Sequence, residues 1–92
     1  MKTLADLKRE LAKPNATLTL LAYAVSGEPK PHVYAGVART VHTLQTNAVA
    51  LSHPENGKVS WLTFGKAGDW KFDGNVATYA DAYISLTYEL SA

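Results

Sequence analysis

The chain contains no cysteine, which excludes disulfides, thiolate metal sites and cysteine nucleophiles. It has no phosphate-cradling loop either: Gly65-Lys66-Ala67-Gly68 carries glycine and lysine without P-loop spacing. None of Ser26, Ser52, Ser60, Ser85 and Ser91 stands in the Gly-x-Ser-x-Gly elbow of a serine hydrolase. No apolar run approaches the roughly 18 residues of a spanning helix. Met1-Lys2-Thr3-Leu4 has the look of a secretory leader, but Asp6, Lys8, Arg9 and Glu10 interrupt any apolar stretch behind it. A cytoplasmic location is expected. Without an export signal, the sequon Asn15-Ala16-Thr17 reads as a turn between helix and strand. Charge of one sign is missing as well. Nine basic and eight acidic residues leave a net +1, too little to gather nucleic acid by a global field.

What is present is a pattern of short alternating segments. In residues 83–90, Ile84, Leu86, Tyr88 and Leu90 fall on one side and Tyr83, Ser85, Thr87 and Glu89 on the other. Period-two alternation bounded by Asn56-Gly57 and Asp73-Gly74 is the signature of antiparallel hairpins, whose type I′ turns need positive φ at both central residues. A capping-box spacing from Thr3 to Asp6, with Leu4, Leu7 and Leu11 on one face, predicts a helix over residues 3–13 that ends before Pro14. Roughly five or six strands are expected: 17–23, where Leu18, Leu20 and Ala22 share a face; 36–45, bent at Thr46-Asn47 and continued by 48–51; then 59–64, 70–72, 76–79 and 83–90. The segment 26–31, with a glycine and two prolines, is expected as a loop, and residues 65–68 as a break holding one helical turn.

With 47% apolar and 18% charged residues, the 92-residue chain is expected to be a single globular domain of modest stability. The fold expected is mainly β (α+β). A short N-terminal helix covers one end of a β-rich body, residues 16–90. That body is a small antiparallel meander curled into an SH3-like barrel or β-roll; an open sheet packed on the helix is the alternative.

Candidate chemistry is sparse. His32, His42 and His53 are too widely spaced for a local metal motif, and Asp73 is accounted for by its turn. A non-enzymatic protein with no cofactor is therefore expected. The aromatic residues are more informative. Phe72, Tyr88 and either Trp61 or Phe64 are assigned to the core, while Trp70 beside a turn and Tyr83 opposite Ile84 and Leu86 are expected at the surface. Together with Arg39, Lys58, Lys66 and Lys71 they make a candidate binding surface, Arg39, Lys58, Lys66, Trp70, Lys71 and Tyr83. Such a surface can stack and neutralise single-stranded nucleic acid, or anchor a protein interface. The balanced charge favours a protein partner, with weak nucleic-acid binding or assembly through a β edge as the alternatives.

The segments Gln45-Thr46-Asn47-Ala48, Ser60-Trp61-Leu62, Lys66-Ala67 and Phe72-Asp73-Gly74, with the helix Leu4-Ala5-Asp6-Leu7-Lys8, carry a resemblance. They resemble a family of small uncharacterised proteins of phages and other mobile elements of Gram-positive bacteria. The resemblance implies a mobile-element setting and a non-enzymatic small domain. With the small size, the absent catalytic signatures and the surplus aromatics, the expected action is to occupy a surface of a larger host or phage protein. Inhibition of a host defence system, such as a CRISPR nuclease, is its most concrete form; a virion accessory role is the other. It carries over no catalytic residues.

Overall fold

Helix α1 (Leu4–Leu11) begins where the sequence places it, because Thr3 and Asp6 exchange side-chain-to-backbone hydrogen bonds in a capping box. Its leucines Leu4, Leu7 and Leu11 are buried, and this apolar stripe holds so short a helix in place. The computed structural model describes residues 1–92 and continues through eight strands: β1 (Thr17–Val25), β2 (Glu28–Pro29), β3 (Ala38–Leu44), β4 (Ala48–Ser52), β5 (Val59–Thr63), β6 (Trp70–Asp73), β7 (Val76–Ala80) and β8 (Ile84–Ser91). A 3-10 turn at Ala67–Asp69 fills the expected break. The fold is mainly β, with one short helix.

The strand order is β5-β4-β3-β1-β8-β7-β6, with β2 paired to β1, and every ladder is antiparallel. The chain is thus not one continuous meander. β1 is inserted at the centre, between a β3–β5 meander and a β6–β8 meander. The expected barrel does not close, because no ladder joins the edge strands β5 and β6. Yet the chain runs from Thr63 to Trp70 through a single short link. A flat path of seven strands at ~4.8 Å spacing would separate its edges by roughly 29 Å. Seven peptide units reach about 25 Å when fully extended, and here they include a 3-10 turn. The sheet must therefore curl. At the seam, Phe64 is fully buried and lies near α1, with the Lys8 ammonium 5.2 Å from its ring centroid.

Bulges adjust the phase of two strands. Leu21 has no partner between the pairs Leu20–Tyr88 and Ala22–Thr87, and His42 none between Val41–Leu51 and Thr43–Ala50. Each extra residue shifts the inward face by one. Leu18 and Leu20 accordingly face the core, Ala22 does not, and Tyr23 packs against the core in its place. Leu21 is left half-exposed at 49%.

The turns differ from expectation in type more than in place. Positive φ at both central residues occurs at Ser26-Gly27, which joins β1 to β2 as a tight hairpin. Between Asp73 and Val76 only Gly74, the first central residue, has positive φ, the type II′ pattern. Asn56-Gly57 belongs to a longer loop, residues 53–58, in which the Gly57 N–H donates to the His53 carbonyl at 2.9 Å.

Candidate functional site

The alternation of β3 turns Ala38 and Thr40 outward and Arg39 inward, opposite Leu18 of β1 in register. A slot that the strand pattern reserves for an apolar side chain therefore holds a guanidinium. Arg39 is 4% exposed and is the one charged residue in the buried set. No carboxylate meets it: the ion pairs are Arg9–Asp6, Lys13–Glu10 and Lys30–Glu28, all on the surface. Arg39 Nη1 donates to Ser60 Oγ on β5, and its Cζ lies 4.3 Å from the Tyr34 ring centroid. Its Nε–H has no hydrogen-bond partner.

The segment between β2 and β3 supplies the rest of the site. Gly36, at φ +76°, donates its N–H to the Leu20 carbonyl at 2.9 Å and pins this segment to β1. The Tyr34 N–H donates to His32 Nδ1 at 3.1 Å, which leaves the proton of the neutral ring on Nε2. Tyr23, His32, Tyr34 and His53 form a chain of rings with centroids 5.1, 5.7 and 6.1 Å apart. His32, Tyr34, Arg39, Ser60, Trp61 and Tyr88 surround a pocket of about 220 Å³, whose apolar wall is Leu62 and Leu86. Burial pushes the Tyr88 hydroxyl up to about 12, with the Arg39 charge pulling the other way. Tyr88 is thus a neutral phenol at physiological pH. Burial also lowers the Arg39 pKa, opposed by the oxygens of Tyr88 and Tyr34, but a guanidinium stays charged throughout.

Of the six residues expected to form one surface, two are inside. Trp70 is 5% exposed and belongs to the core: its indole N–H donates to the Phe64 carbonyl at 2.7 Å, and its ring stacks on Phe72 at 6.0 Å. The reason is strand phase. Trp70 and Phe72 take the inward positions of β6, and Lys71 and Asp73 the outward ones. Arg39 is buried for the same kind of reason. Lys58, Lys66, Lys71 and Tyr83 are exposed, Tyr83 at 74%. Lys58 and Lys66 lie beyond opposite ends of β5, and neither they nor Lys71 line the Arg39 pocket. In the core, Phe64 and Tyr88 are buried as expected and Phe72 is half-buried, while Trp61 stays 55% exposed.

His32, Tyr34, Ser60 and Trp61 join Arg39 in a site that the sequence reading did not assemble. The available signal was Arg39 alternating with Val41 on the inward face of a strand. The histidines do not converge: His42 sits on its bulge beside Thr43, and no three His, Asp or Glu side chains form a metal-binding group. A larger groove of about 530 Å³ lies between the C-terminal end of α1 and β3, lined by Leu11, Pro14, Val41 and Leu44 among others. It contains no buried polar group. No helix is long and apolar enough to cross a membrane. No protein-family model, curated protein or solved structure matches the chain.

Proposed function

We propose that the chain is a non-enzymatic binding domain that occupies a surface of a larger protein partner, with the mouth of the Arg39 pocket at the centre of the contact. One observation carries this reading: a buried guanidinium without a carboxylate shares its pocket with Trp61, an aromatic residue left 55% exposed. Arginine and tryptophan around a desolvated pocket are the residues that dominate protein interfaces. The Ser60 hydroxyl accepts from Arg39 and has no histidine partner, which supports binding over nucleophilic chemistry. The resemblance described above adds the finer reading: a mobile-element protein in the host cytoplasm that inhibits a host defence enzyme, a CRISPR nuclease being the concrete case.

Affinity capture from a host lysate tests the proposal. A stoichiometric protein retained at several salt concentrations, and lost with Trp61→Ala, is the expected result. No retained protein under any of those conditions contradicts it.

A second reading rests on Lys58, Lys66 and Lys71, which are exposed and outside every ion pair. They suit weak nucleic-acid binding, although Arg39 and Trp70 are withdrawn from that surface. This reading requires a mobility shift that weakens steeply from low to moderate salt, and a flat titration removes it.

A further inference from the structure

From the Arg39 pocket we infer that the partner is recognised through a carboxylate, the side chain of an Asp or Glu, inserted to pair with the Arg39 guanidinium. This rests on the protein-binding reading above and specifies its chemistry. Burying a charge without a counter-charge is costly, so a fold retains one only where something compensates it. Nothing in the chain supplies that compensation: the positive charge has one neutral hydroxyl partner, one aromatic face and an unpaired Nε–H. The guanidinium fork is shaped for a carboxylate, which two parallel N–H donors can hold at once. Tyr88, kept neutral by burial, and the Nε2–H of His32 are further donors around the same pocket.

Size and charge separate the candidate anions. A pocket of about 220 Å³ accommodates an acidic side chain, and one carboxylate neutralises one guanidinium. A nucleic-acid backbone needs a track of cations. Here a single cation lies at the pocket, since Lys58, Lys66 and Lys71 are not among its lining residues. The half-exposed Trp61 that lines the pocket then meets the apolar surroundings of the partner's acidic residue.

The Arg39 Nε–Hε resonance reads occupancy directly. The probe is N-acetyl-glutamic acid α-amide, a monoanion at neutral pH, added to the full chain at constant ionic strength. A saturable shift of that resonance and of the Ser60 and Trp61 amides is expected, with a dissociation constant on the order of 1–10 mM. Arg39→Met weakens this binding about tenfold or more, and Lys66→Gln leaves it unchanged. Because the resonance is followed in the wild-type chain, a poorly folded variant does not blunt the test. No saturable shift overturns the inference, as does an equal response to chloride. A response to inorganic phosphate or oligo(deoxythymidine) without one to the carboxylate also overturns it and transfers the site to the nucleic-acid reading. A partner captured while the probe fails removes the carboxylate alone. Probe binding with no captured protein removes the partner and leaves a carboxylate site.

Discussion

At the scale of single residues, Arg39 and Trp70 show opposite uses of a buried polar group. Trp70 satisfies its one donor inside the protein, on the Phe64 carbonyl at the seam of the sheet. Replacing it with Phe removes that bond and orphans a buried carbonyl. The expected loss is about 1–3 kcal/mol of unfolding free energy, measured by urea titration. Arg39 is the reverse case, since its charge is buried without a carboxylate. Arg39→Met is therefore expected to leave stability unchanged or raise it by about 1 kcal/mol. A loss beyond ~2 kcal/mol would make Arg39 a structural residue and contradict its assignment to a site. Both side chains point inward for a reason visible in the alternation of β3 and β6. Residue type alone, cation or indole beside a turn, points to the surface and misleads.

Elements were legible where local chemistry decides them. The capping box, the leucine stripe, the β-branched runs and the glycine turns put α1 and most strand segments within a few residues of their observed bounds. The bend expected at Thr46-Asn47, however, is a full reversal that makes residues 38–52 two antiparallel strands, β3 and β4. The helix depends on both of its local devices. Thr3→Ala is expected to cost about 1 kcal/mol through the lost cap, and Leu7→Ala about 2–5 kcal/mol through the cavity left in the core. Thermal unfolding of the two variants orders them, and a larger loss for Thr3→Ala would contradict the packing account. What the sequence does not display is pairing between distant segments. The insertion of β1 between β3 and β8 leaves no local mark. Nor do the bulges at Leu21 and His42, since the extra residue becomes extra only against its partner strand. The short β2 was hidden in a proline-rich loop. Turn type was missed for a related reason: Asn-Gly and Asp-Gly name a bend, while the flanking register decides which residues lie at its centre.

For the whole molecule, stability is linked to acid pH through two anchored carboxylates, Asp6 in the helix capping box and Asp81 between β7 and β8. Asp6 lies below the ordinary carboxylate value of 3.8 because the Lys2 N–H, then Thr3 and Arg9, favour its charged form. Asp81 is lowered by the Ile84 and Tyr83 N–H groups and the Tyr79 hydroxyl. A carboxyl whose folded-state pKa is depressed adds stability that is complete above its unfolded value and drains away as pH falls through the folded value. Urea midpoints are therefore expected to hold steady down to about pH 4 and then decline. The decline should be shallower in the Asp6→Asn, Asp81→Asn double variant. An equally steep decline there would assign acid lability to other carboxylates.

On the proposed function, one pocket around Arg39, and not the scattered surface lysines, makes the contact with the partner. The direct measurement is retention of the captured protein by two forms of the full chain, Arg39→Met and the triple variant Lys58→Ser, Lys66→Ser, Lys71→Ser. Loss of the partner from Arg39→Met and its retention by the triple variant is the predicted outcome. Retention by Arg39→Met together with loss from the triple variant would contradict the account.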